Sequence, residues 1–158
     1  MPPANAADLD LVTADALAHF QAVVLHNNRT RRHFGKLSDA SHRAIGANPL
    51  CGDQLTVELQ LVDCTIIQCG FHGEMSAISI AAAEILCTQI EGLSLHEAEL
   101  ILRDAQSMLG GRLDLPSTDE FHCFAVVRRY PSRLKTATLP VATLLAAVLG
   151  DSTQVSTE

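Results

Sequence analysis

Cys51 and Asp53 stand two residues apart in the run Asn48-Pro49-Leu50-Cys51-Gly52-Asp53, a thiol and a carboxylate on a turn shaped by proline and glycine. Pro49 before Cys51 and Gly52 after it keep that turn open and let the backbone approach a metal or a partner's sulfur. Thiolate and carboxylate are both acceptable ligands for zinc or iron. A structural zinc site, however, takes four ligands, and iron-sulfur clusters take three or four thiolates. Two ligands do not make a site, and the same residues also read as an ordinary turn before a strand. Cys69 and His72 are the other side chains that could complete a ligand set. Cys64, Cys87 and Cys123 read as buried small hydrophobes, and His19, His26, His33, His42 and His96 show no ligand spacing. No Ser/His/Asp set, paired acid and base or phosphate-binding glycine loop stands out, which argues against an independent enzyme acting on a small molecule.

The elements that must position these residues follow from hydrophobic periodicity. Leu17, Phe20 and Val24 recur at helical spacing from Thr13 to His26, with Thr13 and Asp15 as start signals. Asn27 to Asn48 is polar, basic and punctuated by glycine, so it predicts loop with an edge strand through His42 to Ile45. Gln54 to Val62 alternates as a half-buried strand. Asp63-Cys64 turns the chain into a second strand, Thr65 to His72, which Gly73 ends; the pair forms an antiparallel hairpin. Ser76 to Ile90 has helical spacing, with Ser76 placed to cap it. Ser94 and Glu97 form a capping box for a further helix closed by Gly110-Gly111. Leu113 to Arg133 predicts irregular chain, and a last helix runs to about Leu149 before a polar tail expected to fray. Strands early and helices late define an α+β fold, a small antiparallel sheet packed against helices.

At 158 residues the chain fits one domain, 1–158, with a core over about 12–150 and polar tails at 1–11 and 151–158. Apolar residues at 47% and charged residues at 18% argue against disorder, and the apolar runs are too short to span a membrane. A net charge of −7 disfavours nucleic acid and acidic lipid, although Arg29, Arg31, Arg32, His33, Lys36 and Arg43 form a basic stretch. That stretch reads as a solvated loop or as a docking surface. Met1 to Leu11 shows no signal-peptide pattern, and five cysteines cannot all pair internally, so the expected setting is reducing and cytoplasmic.

Three ordered motifs carry a family resemblance. Leu25-His26-Asn27 and His33-Phe34-Gly35 are similar to an N-terminal helix followed by an "NFG" loop, and Gly46 to Asp53 fits a first ligand loop. Phe71-His72-Gly73-Glu74-Met75-Ser76-Ala77-Ile78-Ser79 resembles a second loop, "FxGxGCxIS". Arg128 to Pro140 resembles a third, "RRxPxRxKCAxL". Together they resemble the SufU-like branch of the IscU and NifU N-terminal iron-sulfur cluster assembly scaffolds, and the extra segment from about Leu109 to Val127 fits that branch.

The resemblance implies metal ligands at Cys51 and Asp53 and at the positions of Ser76 and Thr136, where the family pattern has cysteine. A hydroxyl stays protonated near neutral pH, whereas a thiol ionises readily and is soft, so zinc, iron or an iron-sulfur cluster would be held by a degenerate set. Met75 also replaces a glycine, and Arg133 matches a family position beside the site. His122-Cys123 lies before the third motif rather than within it. The resemblance further implies a cysteine desulfurase as partner and Cys51 as sulfur acceptor, which needs one accessible thiolate rather than four ligands. Two readings follow: a scaffold or sulfur acceptor in cluster assembly, or a non-catalytic binding module that keeps the fold and the partner surface. A third rebuilds a metal site from Cys69 or His72 with Cys51 and Asp53.

Overall fold

The computed structural model describes residues 13–151 and 154–157. The sequence-derived tail at 1–11 lies outside the described residues. Helix α1 spans Ala14–Thr30, and the Thr13 hydroxyl accepts from the Ala16 amide at 3.0 Å as its cap. It runs a turn beyond the expected end at His26 because two asparagines, poor helix formers, find partners there. The Asn27 amide donates to the Val23 carbonyl and to Glu120. The Asn28 amide donates to the Val24 carbonyl and, at 2.8 Å, to the carbonyl of Ala77.

Strands β1 (His42–Asn48), β2 (Asp53–Val62) and β3 (Thr65–Glu74) form an antiparallel meander. Both residues of the β2–β3 turn, Asp63 and Cys64, have positive φ, 50° and 62°, as a tight two-residue hairpin requires. Cys64 is therefore exposed at the turn, not buried as its sequence suggested. β1 extends to Asn48 rather than Ile45, and β3 continues through Gly73 to Glu74, in register with Gln54. Where a frayed tail was expected, β4 (Val155–Ser156) pairs parallel with Gly46 and Ala47. The sheet is thus mixed, in the order β3-β2-β1-β4, with its three long strands antiparallel.

Leu55, Val57 and Leu59 alternate onto one face of β2 and are fully buried against the helices. Helix α2 (Ala77–Ile90) is buried along nearly its whole length, from Ser79 through Cys87, which explains why it is apolar almost all round. Helix α3 (Leu95–Leu109) opens with the predicted capping box: Ser94 accepts from the Glu97 amide at 3.2 Å and the Glu97 carboxylate accepts from the Ser94 amide at 3.0 Å. The stretch expected to be irregular contains ten residues of 3-10 helix, Glu120–Arg129, whose Phe121 and Phe124 stack at 4.6 Å while Phe20 meets Phe124 edge-on at 5.1 Å. Helix α4 (Pro131–Val148) starts earlier than the sequence reading placed it, because Pro131 suits the first helical position, where no amide proton is needed. The buried apolar side chains of sheet and helices form one cluster.

The basic stretch is not simply a solvated loop. His33 is buried between two carboxylates, with Nδ1 2.9 Å from Glu84 and Nε2 3.1 Å from Glu91. Its carbonyl accepts from the Phe71 amide, and Gly35 donates back to the Phe71 carbonyl, so this segment covers the outer edge of β3. Arg43 pairs at 2.8 Å with Glu58, which is buried although it lies on the outer face of the sheet.

Candidate functional site

Three chain segments meet at one end of the sheet: the β1–β2 turn, the junction of β3 with α2, and the first turns of α4. The β1–β2 turn is tied by the Gly52 amide donating to the Asn48 carbonyl at 2.9 Å, and the Leu50 amide donates to the Asn48 side chain at 3.1 Å. Gly52 has φ of 77°, a region glycine enters without steric cost, and this places Cys51 at the exposed tip. Cys51 borders a cleft of about 130 Å³ whose far wall is Pro131, Ser132 and Lys135 of α4.

Asp53, two residues on, points inward and is 5% exposed. One carboxylate oxygen accepts from the Ser76 amide at 2.9 Å. The other accepts from the Ser76 hydroxyl at 3.0 Å and meets the Ser79 hydroxyl in a very short contact. Ser76 occupies the N-cap position of α2, but its side chain makes no capping bond. The expectation that it caps the helix is corrected: the hydroxyl turns to Asp53, and the carboxylate itself sits at the helix N-terminus, where negative charge is favourable. No acidic residue of α2's own first turn fills that role.

Thr136 closes the third side. Its hydroxyl donates to the Ser132 carbonyl at 3.0 Å, and the side chain is nearly buried. The carbonyl of Thr136 would normally accept from the amide four residues on, but that residue is Pro140, which has none. The Ser79 hydroxyl lies 3.0 Å from this orphaned oxygen. Ser79 thus links Asp53 of β2 to α4 through one hydroxyl. It was quoted only as part of a motif in the sequence reading. The signal that could have found it is a proline inside a helix, which leaves a carbonyl in need of a donor.

The structure brings Asp53, Ser76 and Thr136 together and sets Cys51 against the same helix. It does not bring the proposed substitutes. His72 is in register with Thr56, on the face of the sheet away from Asp53, and its Nε2 lies 3.2 Å from Glu58. Cys69 is opposite Leu59, six residues along β2 from Asp53, or roughly 20 Å at ~3.3 Å per residue. A metal site rebuilt from Cys69 or His72 with Cys51 and Asp53 is therefore ruled out by strand register. Cys123 is buried in the 3-10 helix, and burial pushes its thiol up to about 12. Arg133 stacks over Tyr130 at 4.9 Å and lines an apolar groove with Leu17, Val24 and Ile78 rather than the Asp53 pocket.

As ligands, the site offers one thiol, two hydroxyls, and a carboxylate whose oxygens both already accept hydrogen bonds. The Thr136 hydroxyl proton is committed to a carbonyl. Among the described residues, no three His, Cys, Asp or Glu side chains gather as a metal would require. This set does not fit a four-ligand zinc site or a thiolate-bound cluster.

A meander flanked by helices, with a cysteine turn facing the start of the last helix, makes this an α+β domain. Residues 19–131 match the family described as the NifU-like N terminal domain, and the chain belongs to that family. It is 27% identical over 130 residues to the iron-sulfur cluster assembly scaffold protein IscU of Thermotoga maritima, covering 82% of this chain and 92% of that protein. It is 26% identical over 122 residues to the zinc-dependent sulfurtransferase SufU of Bacillus subtilis, covering 76% and 82%. Its fold superposes with a TM-score of 0.75 on a putative iron-sulfur cluster assembly scaffold protein for the SUF system from Fervidobacterium islandicum, at 28% identity over 80% of this chain and 93% of that one. No helix among the described residues is long and apolar enough to cross a membrane.

Proposed function

We propose that this chain serves iron-sulfur cluster assembly as a sulfur acceptor for a cysteine desulfurase, with Cys51 as the accepting thiol. The observation that carries the reading is the division of labour at the site: Cys51 is exposed on a hydrogen-bonded turn beside a cleft, while Asp53 is withdrawn into hydrogen bonds with Ser76 and Ser79. The Cys51 thiolate attacks the terminal sulfur of the donor's persulfide. A new S–S bond forms on Cys51, the donor's S–S bond breaks, and the donor's cysteine leaves as a thiolate, so the exchange involves no net oxidation. Lys135 on the cleft wall supplies positive charge for the anionic sulfur held there. Asp53 keeps the turn and α2 in register, and no step passes through a metal. The chain acts as acceptor and carrier rather than as an enzyme with its own turnover.

The saturation of Asp53 also favours the second reading, a binding module that keeps the partner surface without sulfur chemistry. Incubation with a desulfurase and its cysteine substrate separates the two. Intact-mass analysis should find one added sulfur atom on the parent, none on Cys51→Ala, and unchanged loading on Cys64→Asn. An unloaded parent, or Cys51→Ala stimulating the desulfurase as well as the parent, would leave only the binding module.

A further inference from the structure

Cys69 of β3 and Cys87 of α2 face one another across the sheet–helix interface, on the inner side of the strand and well away from Cys51. Their sulfurs are 2.9 Å apart, about 0.9 Å longer than the disulfide bond length of ~2.05 Å. Cys87 is 0% exposed and Cys69 only 2%, and Cys69 borders a polar cleft of about 290 Å³ lined also by Arg32, His33, Lys36, Gln68 and Glu91. The Cys69 amide is held by the Glu91 carboxylate at 3.2 Å, and that carboxylate is itself held by His33, so the strand position beside the cleft is pinned. Both thiols are buried and in contact, and of the two only Cys69 borders the cleft.

We propose that Cys69 and Cys87 form a reversible disulfide site that takes a small hydroperoxide as oxidant, with Cys69 attacking and Cys87 resolving. The Cys69 thiol gives up its proton and its sulfur attacks one peroxide oxygen; the O–O bond breaks and the departing hydroxide takes that proton to leave as water. Cys69 is then a sulfenic acid. The Cys87 sulfur attacks it, the S–O bond breaks, and the Cys87 proton leaves with the oxygen as a second water. Two thiols and one hydrogen peroxide give one disulfide and two waters. Burial, reinforced by contact with Cys69, raises the Cys87 thiol well above its usual range, consistent with the enclosed thiol acting second. A disulfide formed this way in a reducing compartment is transient and sensing rather than structural.

The test uses the full chain carrying Cys51→Ser and Cys64→Asn, which leaves three of the five cysteines. After hydrogen peroxide, denaturation and alkylation, titratable thiols should fall from three to one, a Cys69–Cys87 cross-linked peptide should appear, and dithiothreitol should restore all three. Adding Cys87→Ala removes the resolving thiol, so Cys69 should become trappable by dimedone, while the chain that keeps Cys87 should not. Three surviving thiols, or Cys69 driven to sulfinic acid with Cys87 still free, would overturn the proposal. So would an absence of dimedone adduct in the Cys87→Ala chain.

Discussion

Replacing Ser76 and Thr136 together by cysteine should turn a site that hydrogen bonds have closed into one that holds zinc. Ser76 Oγ lies 3.0 Å from Asp53, so a thiol there stands beside the carboxylate, and Thr136 belongs to the α4 turns that face Cys51. Without metal the double variant loses one hydrogen bond to a carboxylate, about 1.5–3 kcal/mol, and one neutral hydrogen bond, about 1 kcal/mol, for a total of about 2.5–4 kcal/mol. Zinc at 1,000 times its dissociation constant contributes about 4 kcal/mol to the folded state, enough to offset that loss. The measurements are zinc per chain after gel filtration and thermal melts with and without zinc. The double variant should carry close to one zinc and melt higher with it, and Cys51→Ala in the same background should abolish both effects. The parent should show neither. A double variant that retains no zinc would mean that the four positions do not converge. Stoichiometric zinc in the parent, lost on Cys51→Ala, would mean that the hydroxyl set binds metal after all.

Three further perturbations test what positions the site. Ser79→Ala should cost about 1–3 kcal/mol, because it removes the single hydroxyl proton shared between Asp53 and the carbonyl that Pro140 leaves open. The cost should shrink in a Pro140→Ala background, where the helix supplies its own amide; an equal cost in both backgrounds by urea denaturation would reject the account. Glu84→Ala should cost about 3–5 kcal/mol, since it leaves buried His33 with only the partly exposed Glu91 as a carboxylate partner and its backbone amide unpaired, and a loss under 1 kcal/mol would contradict the burial argument. Gly46→Ala should cost about 1–3 kcal/mol, because a Cβ there overlaps the Thr143 hydroxyl and pushes α4 off β1; calorimetry showing an unchanged melting temperature would refute it.

The His33–Glu84 pair also sets a pH window. Hydrogen bonding to Glu84 raises His33 above its ordinary 6.5 against the opposing effect of burial. Its contribution is therefore complete below 6.5 and lost as pH rises through the higher folded value. Burial pushes Glu84 up, but hydrogen bonds from the His33 side chain and backbone outweigh it and hold the carboxyl below its ordinary 4.5. That contribution is complete above 4.5 and lost as pH falls through the lower folded value. The pair should be at full strength between pH 4.5 and 6.5. Denaturation midpoints of the parent and Glu84→Ala should differ most in that interval, and a difference independent of pH would count against the charged pair.

Local chemistry carried the readings that held. The Asp63-Cys64 turn, the Ser94–Glu97 capping box and the alternation of β2 each depend on neighbours within four residues, and each was legible in the sequence. The motif order from Gly46 to Pro140 likewise indicated the α+β fold and the family. The misreadings lay where a distant partner overrode local preference. The α1 asparagines are satisfied by Glu120 and Ala77, His33 of the basic stretch is drawn inward by Glu84 and Glu91 while the arginines and Lys36 around it stay exposed, and the tail is paired with β1.

The sequence by itself determined which donors are present at the candidate site: a cysteine, an aspartate and two hydroxyl residues in ordered loops. Only the tertiary structure decided what those donors do. The Asp53–Ser76 and Ser79–Thr136 bonds span 23 and 57 residues, strand register turned His72 away from Asp53, and the packing of α2 on the sheet set Cys69 against Cys87. A buried polar atom must find a partner wherever the packed chain offers one, and which atom is nearest is a property of the packing rather than of sequence neighbours.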